Sequence, residues 1–588
     1  MGRAVGPHGA PRHPGRAAAA GRQERPGAGR PARLQPAGGN HRPDGGAHGG
    51  PVRFAGRLIR RRVVLERPDG RRLQLWLAAA GLFLAALDTY AVVTLLPQML
   101  SAVEVPVNRL EAATPILTGF LAGYVVAMPL LGAFSDARGR LPAYAVAVLV
   151  FAAGSTLTAL APGLGGLVTG RVLQGLGGGA LVPLSLALAA DIYPAGRRTL
   201  PLGVVAAVQE AGSVVGPVYG AALAAAFGSW RAVFWLNLPL GALVLLGLWA
   251  AQRGSHTEQG GPAAAPGASA APVGAAARAM PRSGQVDWAS ASLLGLGLAL
   301  LVFALYPDDP QQRPVNSLAV PLLIAGLLLL AAFGWRQARR LSPLIAPELL
   351  RSPAFMGSLG ANLIAGAGLM VALVDVPVLA RGVFDLDTLH SGLLLVRLLF
   401  GLPVGALIGG WLGGRIGRRW TAASGLALAA GAFGLMSGWG VHQLASAAVP
   451  ATLELFLCGL GFGLVIAPLS AAVLDLAPAG QHGLASSLVV LARTLGMVIG
   501  LASLTAFGLS RFQRIIVDRH CDSISSSGGL RAQLNAFEDC VRGALLQEYR
   551  EVFLVVAGLC LLGALLAVAT LGANRPEPLA EPHAAARA

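Results

Sequence analysis

Residues 117–157 read LTGFLAGYVVAMPLLGAFSDARGRLPAYAVAVLVFAAGSTL, two long apolar runs separated by GAFSDARGR (Gly132 to Arg140). A helix needs about 20 mostly apolar residues to cross about 30 Å of hydrocarbon. Each run meets that length, and the charges crowd into the few residues between them. This is the pattern of two membrane helices joined by a tight polar turn. It recurs along the chain, giving fourteen expected spans near 75–97, 112–134, 141–161, 165–190, 199–226, 230–251, 288–306, 317–335, 354–380, 390–413, 420–440, 447–472, 483–507 and 550–573. Composition agrees: 588 residues are 54% hydrophobic and 12% charged, with a mean hydropathy of +0.63. Strand-period alternation is missing from these runs, so the fold class is an all-α membrane protein rather than a barrel. Helices also satisfy their own backbone, as lipid requires.

The formal charge of +17 comes from arginine alone, since the sequence has no lysine. Its distribution points to a membrane topology and not to nucleic acid. Arginine is dense before residue 75 and in alternate loops, at Arg138, Arg140, Arg197, Arg198, Arg253, Arg336, Arg339, Arg340, Arg415, Arg418 and Arg419. The opposite loops, apart from the last, hold few. The positive-inside rule then puts both termini in the cytoplasm of a multi-pass protein of the cell membrane.

The chain divides as 1–74, a basic N-terminal segment expected to be disordered in its Gly/Pro/Ala/Arg-rich part; 75–251, six spans; 252–287, an Ala/Pro/Gly linker; 288–335, a two-span insert; 336–573, six spans; and 574–588, a tail. The two six-span groups repeat landmarks in order. GAFSDARGR has a counterpart in GGWLGGRIGRR (Gly409 to Arg419), and QGLGGGALVP (Gln174 to Pro183) in CGLGFGLVIAP (Cys458 to Pro468). Two related bundles facing each other make a transporter-like architecture.

These residues resemble the major facilitator superfamily, and within it the fourteen-helix drug:proton antiporters, from about residue 75 to 573. GAFSDARGR is similar to the superfamily's loop motif at Gly132, Asp136, Gly139 and Arg140, with Ala137 and Leu141 departing from it. With Arg138 these residues form the expected conformational-switch loop, in which Asp136 can face a helix N-terminus or an arginine. The second copy has Gly414 at the place of the acid. RVLQGLGGGALVP resembles the fourth-helix motif, which implies that Arg171 tunes proton affinity, with Gln174 on its face. GSVVGPVYG resembles the fifth-helix antiporter motif, with Gly212, Gly216, Pro217 and Gly220; the resemblance implies that this face packs one half against the other. LDTYAVVTLLP resembles the first-helix motif at Asp88 and Pro97, with Tyr90 and Val93 replacing its threonine and asparagine.

An ionised carboxylate at mid-membrane is expensive and marks function by default. Asp88 is therefore the first candidate for proton coupling with Arg171, and Glu210 and Asp375 are reserve carriers; Glu454, Arg397 and Arg493 are further buried charges. Cys521 and Cys540, in an expected outer loop 508–549, are expected to pair as a disulfide, while Cys458 and Cys560 lie in helices. No metal-spaced Cys/His cluster, phosphate loop or catalytic constellation is found, so no enzyme activity, metal or cofactor is expected, and the resemblance implies a proton gradient as the energy source. The implied function is proton-coupled efflux of small amphipathic or drug-like molecules by alternating access. The alternatives are export of a specific metabolite, lipid or siderophore, or a non-transporting scaffold or sensor. Expected partners are a small-molecule substrate, protons and the bilayer, with the chain a monomer.

Overall fold

The computed structural model describes residues 70–103, 114–257, 286–306, 315–340, 343–443, 448–521 and 530–572. The expectations for residues 1–69, for most of the linker and for the tail lie outside these described residues. Among those described there is no β-strand, and fourteen long helices carry the fold. They are α1 (Gly70–Ala102), α2 (Thr114–Arg138), α3 (Arg140–Leu160), α4 (Leu164–Ile192), α5 (Thr199–Phe227), α6 (Arg231–Thr257), α7 (Trp288–Leu305), α8 (Ala319–Arg339), α9 (Pro353–Gly382), α10 (Thr388–Arg415), α11 (Arg418–Met436), α12 (Ala448–Leu476), α13 (His482–Asp518) and α14 (Leu530–Thr570). Thirteen are long and apolar enough to cross a membrane. The other, α11, has 19 residues and begins on Arg418, Arg419 and Trp420.

The two six-helix groups pack in the same pattern. In α1–α6 the principal contacts are α2 and α3 on α4, α1 on α5, and α1 and α3 on α6. In α9–α14 they are α10 and α11 on α12, α9 on α13, and α9 and α11 on α14. The groups meet along two seams, α5 with α10 and α2 with α13. The insert pair α7–α8 lies against one of them only: Leu294, Leu298 and Val302 of α7 share a core with Val125 and Met128 of α2 and Leu491 and Val498 of α13.

Two expectations are corrected. GAFSDARGR is helical through Arg138, and the turn narrows to Gly139, at φ +102°, before α3 starts at Arg140. Glycine is required there because an L side chain is strained at positive φ; Gly417 repeats the geometry at φ +91° between α10 and α11. The expected outer loop 508–549 is largely helix, because α13 runs on to Asp518 and α14 already begins at Leu530. These extensions are tied by Arg511, which donates to both carboxylate oxygens of Glu551 at 2.5 and 2.9 Å, and by Arg519 on Gln547. A salt-bridged polar helix lacks the apolar signal by which a span is read.

Candidate functional site

Asp88 lies midway along α1 with no exposed surface, and Arg171 of α4 is 1% exposed. The Arg171 guanidinium donates to Asp88 Oδ2 at 2.9 Å and to Gln174 Oε1 at 3.0 Å. Gln174 Nε2 donates in turn to Asp88 Oδ2 (3.1 Å) and Ser155 (2.8 Å), and Asn237 Nδ2 of α6 donates to Asp88 Oδ1 at 2.6 Å. The carboxylate is thus held from two other helices, α4 and α6, with Ser155 of α3 behind the two amides. The face of the guanidinium rests on the Phe120 ring, 4.3 Å from its centroid, and its Nε has no hydrogen-bond partner. Such a pair is stable only intact: removing one charge from a buried ion pair costs about 3–5 kcal/mol.

Glu210 of α5 faces the other bundle. Arg493 of α13 donates to its Oε1 at 2.9 Å, with side-chain exposures of 5% for Glu210 and 18% for Arg493. This pair joins the halves at mid-depth. Asp375 of α9 stands apart, without a hydrogen-bond or ion-pair partner among the described residues, in the neighbourhood of Glu548 and Tyr549 on α14. The structure does not bring Asp375 to the Asp88 or Glu210 sites. Glu454 accepts from Trp439 Nε1, and Arg397 donates to Thr452, both within the second half.

Polar contacts between the halves gather at the end bearing Gly139 and Gly417. Asp136 accepts the backbone N–H groups of Gly483 and Leu484, the first turn of α13, at 2.9 Å each, and Arg140 Nη1 at 2.5 Å. A carboxylate at a helix N-terminus meets both free donors and the positive end of the dipole. Gly132 packs on Gly483 and Ser487, leaving no room for a Cβ. Arg140 also pairs with Asp191, whose second oxygen lies 2.6 Å from His482 Nδ1. Arg138 is exposed and takes no part in this latch.

The second-half turn lacks the acid, as Gly414 implies, but a counter-latch forms with an acid from elsewhere. Asp475, at the end of α12, receives Arg418, Arg198 of the first half and the Gly196 N–H. Arg140 with Asp191 and Arg418 with Asp475 are repeat-related pairs. Nothing in the sequence marks Asp191, Asp475 or Asn237 as functional. Their positions at or inside helix ends resemble ordinary caps and core amides until the bundles are assembled.

The fifth-helix glycines need correction. Gly212, Gly216 and Gly220 face α1 within the same half: a Cβ on Gly212 would lie 2.8 Å from Phe83 O, and one on Gly216 2.8 Å from Leu87 O. Pro217 O accepts Thr94 Oγ1 of α1 at 3.2 Å. A different stripe of α5 crosses to the second half. Gly203 lies against Ala406 and Gly410 of α10, with Ala206 and Ala207 beside Ala406 and Glu210 on the same side. The row of small residues serves close packing, as its spacing implies, but with α1 as the neighbour. Cys521 and Cys540 are joined as a disulfide with Cα atoms 5.8 Å apart, linking the extensions of α13 and α14, and Cys458 and Cys560 are free and buried.

Two repeat-related helix bundles, latched at one end and carrying buried charges between their helices, define a membrane transporter rather than an enzyme. The sequence profile of the major facilitator superfamily matches residues 78–501, and the chain belongs to that family. It is 39% identical over 528 residues to a triacylglyceride transporter of Mycolicibacterium smegmatis, covering 87% of this chain and 90% of that protein. It is 38% identical over 530 residues to a triacylglyceride transporter of Mycobacterium tuberculosis, covering 87% and 98%. Among solved structures, the human organic anion transporter MFSD10 shares the fold at TM-score 0.54 and 19% identity over 85% of this chain and 100% of that one. The proton:xylose symporter XylE does so at 0.52 and 14% over 85% and 96%.

Proposed function

We propose that this transporter exports a lipid of the triacylglyceride class across the cell membrane, as a monomer with both termini cytoplasmic, in exchange for protons entering through Asp88. The observation that carries the coupling is the fully buried Asp88 carboxylate, held by Arg171, Gln174 and Asn237. Protonating Asp88 removes the counter-charge of Arg171, and the guanidinium then has reason to move. A membrane potential of 100 mV adds about 2.3 kcal/mol per charge moved inward. In the state described the halves are joined at the latched end by Asp136, Asp191 and Asp475, so that end is closed. Exchange of that state for one opened at the latched end is the alternating-access cycle.

For the substrate, the names of relatives 38–41% identical across most of the chain favour a lipid over a drug-like amphiphile. The first-helix motif leans the same way. Val93 stands where the drug:proton pattern has asparagine, and Val93, Val215 and Val218 expose apolar surface on α1 and α5, with 57%, 45% and 68% of their surface accessible. Apolar surface of this kind suits an acyl chain better than a polar or cationic drug.

The test is transport by purified protein in proteoliposomes under an imposed pH gradient, with a fluorescent triacylglyceride and ethidium as alternative substrates. Gradient-dependent movement of the triacylglyceride supports the reading. Movement of ethidium alone returns the protein to the drug-efflux class.

A further inference from the structure

We propose that the turn between α10 and α11 is a binding site for the phosphate of an anionic membrane lipid, held by Arg415 and Arg419. The two repeat copies of this turn differ in their charges. Gly132 to Arg140 superpose in sequence on Gly410 to Arg418, and the turn glycines Gly139 and Gly417 share a left-handed conformation. In the first copy the charges are met: Asp136 pairs with Arg140 and caps α13. In the second, Gly414 replaces the acid, and a Cβ placed there meets nothing within 4 Å. Arg415 replaces Ala137 and Arg419 replaces Leu141, so the turn carries three arginines and no carboxylate.

Arg418 is answered by Asp475, an acid already shared with Arg198. Arg415 and Arg419 have no carboxylate partner among the described residues, and Arg419 Nε is buried without a hydrogen-bond acceptor. Each guanidinium instead stacks on a tryptophan. Arg415 lies 4.1 Å from the Trp411 ring centroid and Arg419 lies 5.2 Å from that of Trp420. Stacking fixes the plane of a guanidinium and leaves its terminal N–H groups for a planar or tetrahedral oxyanion, which arginine binds through hydrogen bonds of fixed direction.

The tryptophans decide what brings the phosphate. Trp411 and Trp420 are 46% and 56% exposed at the end of one membrane helix and the start of the next. Exposed indoles at helix ends sit at the head-group boundary, which places the guanidinium groups at phosphate depth. A soluble anion would leave both ring faces in water, whereas a phospholipid covers them with acyl chain. The unanswered positive charge selects an anionic head group over a zwitterionic one.

The experiment uses the full-length purified protein in mixed micelles doped with phosphatidylglycerol or phosphatidylcholine, read by native mass spectrometry and by melting temperature. Wild type should retain phosphatidylglycerol in preference and melt higher with it. Arg415→Ala/Arg419→Ala should lose both effects, while Arg197→Ala/Arg351→Ala, which removes the same charge from exposed arginines, should keep them. Arg415→Lys/Arg419→Lys keeps charge and fold but not stacking, and should lose most of the preference. Inorganic phosphate alone should leave the melting temperature unchanged. The proposal is overturned if the alanine or lysine pair keeps the wild-type preference, if the control pair loses it equally, or if inorganic phosphate reproduces the shift.

Discussion

Asp136→Asn removes one charge and one acceptor from the contact that holds α2 to the first turn of α13. The carboxylate accepts two backbone N–H groups, from Gly483 and Leu484, and also pairs with Arg140. An asparagine oxygen replaces one of the two acceptors, without charge, and its amide opposes the remaining N–H. A hydrogen bond to a charged group contributes about 1.5–3 kcal/mol, and the helix-dipole share adds about 0.3–1 kcal/mol. The latched state should therefore lose about 2–3 kcal/mol relative to the opened one, or roughly 30- to 150-fold in their ratio. Arg140 keeps Asp191, so the first half itself should stay folded. The assay is a spin-label distance across the latched end, between Ala195→Cys and Ile416→Cys, both at exposed positions. The native cysteines do not compete, being buried or in the disulfide. Wild type should give mainly the short distance and Asp136→Asn a dominant long one. An unchanged distribution would refute the assignment of Asp136 to the latch.

Further outcomes follow from the same contacts. Gly203→Leu should shift that distance distribution in the same direction, since a Cβ there would lie 2.6 Å from Ala406 O across the seam; a wild-type distribution would mean the α5–α10 seam does not close with the latch. Cys521→Ser/Cys540→Ser should lower stability by up to about 3 kcal/mol in the chain-entropy account, measured as a lowered melting temperature under non-reducing conditions. Asp287 caps α7 through Ser290 and pairs with Arg336 and Arg340 of α8. Burial works against its charge, but the Ser290 hydrogen bonds and the two arginines outweigh it and hold its pKa below the usual carboxylate value. A depressed folded-state pKa means that its stabilisation is present above about pH 3.9, the unfolded value, and fades as pH falls through the lower folded value. Asp287→Ala should cost about 1 kcal/mol as a lost cap near neutral pH and less in strong acid, where the protonated carboxyl still accepts the Ser290 N–H but no longer pairs with the arginines, read as the pH dependence of unfolding.

The spans were legible because lipid leaves a spanning chain little choice. An apolar run of the right length must be a helix, and arginine marks its inner end. Asp88 and Arg171 were legible for the same reason, since a charge in such a run is costly enough to notice. Asn237 was not, being an uncharged amide 149 residues from the carboxylate it serves. The α13 and α14 extensions escaped because helices outside the hydrocarbon are as polar as loops, and only pairs such as Arg511 with Glu551 reveal them. The glycines at 212, 216 and 220 announced close packing but not the partner, for the same spacing fits α1 and α10 equally well. The counter-latch was hidden by the repeat itself: Gly414 lacks the acid, and Asp475 restores it from a different helix.

If Asp88 carries the proton that drives transport, purified Asp88→Asn protein in proteoliposomes should fail in pH-gradient-driven transport of a labelled triacylglyceride. Asparagine keeps the size and the acceptor for Arg171 but cannot exchange a proton. Substrate binding should persist, acceleration by the gradient should disappear, and Asp88→Glu should recover part of it. A wild-type rate with wild-type pH dependence would contradict the proton-carrying role, moving the coupling to Glu210 or Asp375 and leaving Asp88 as a structural partner of Arg171.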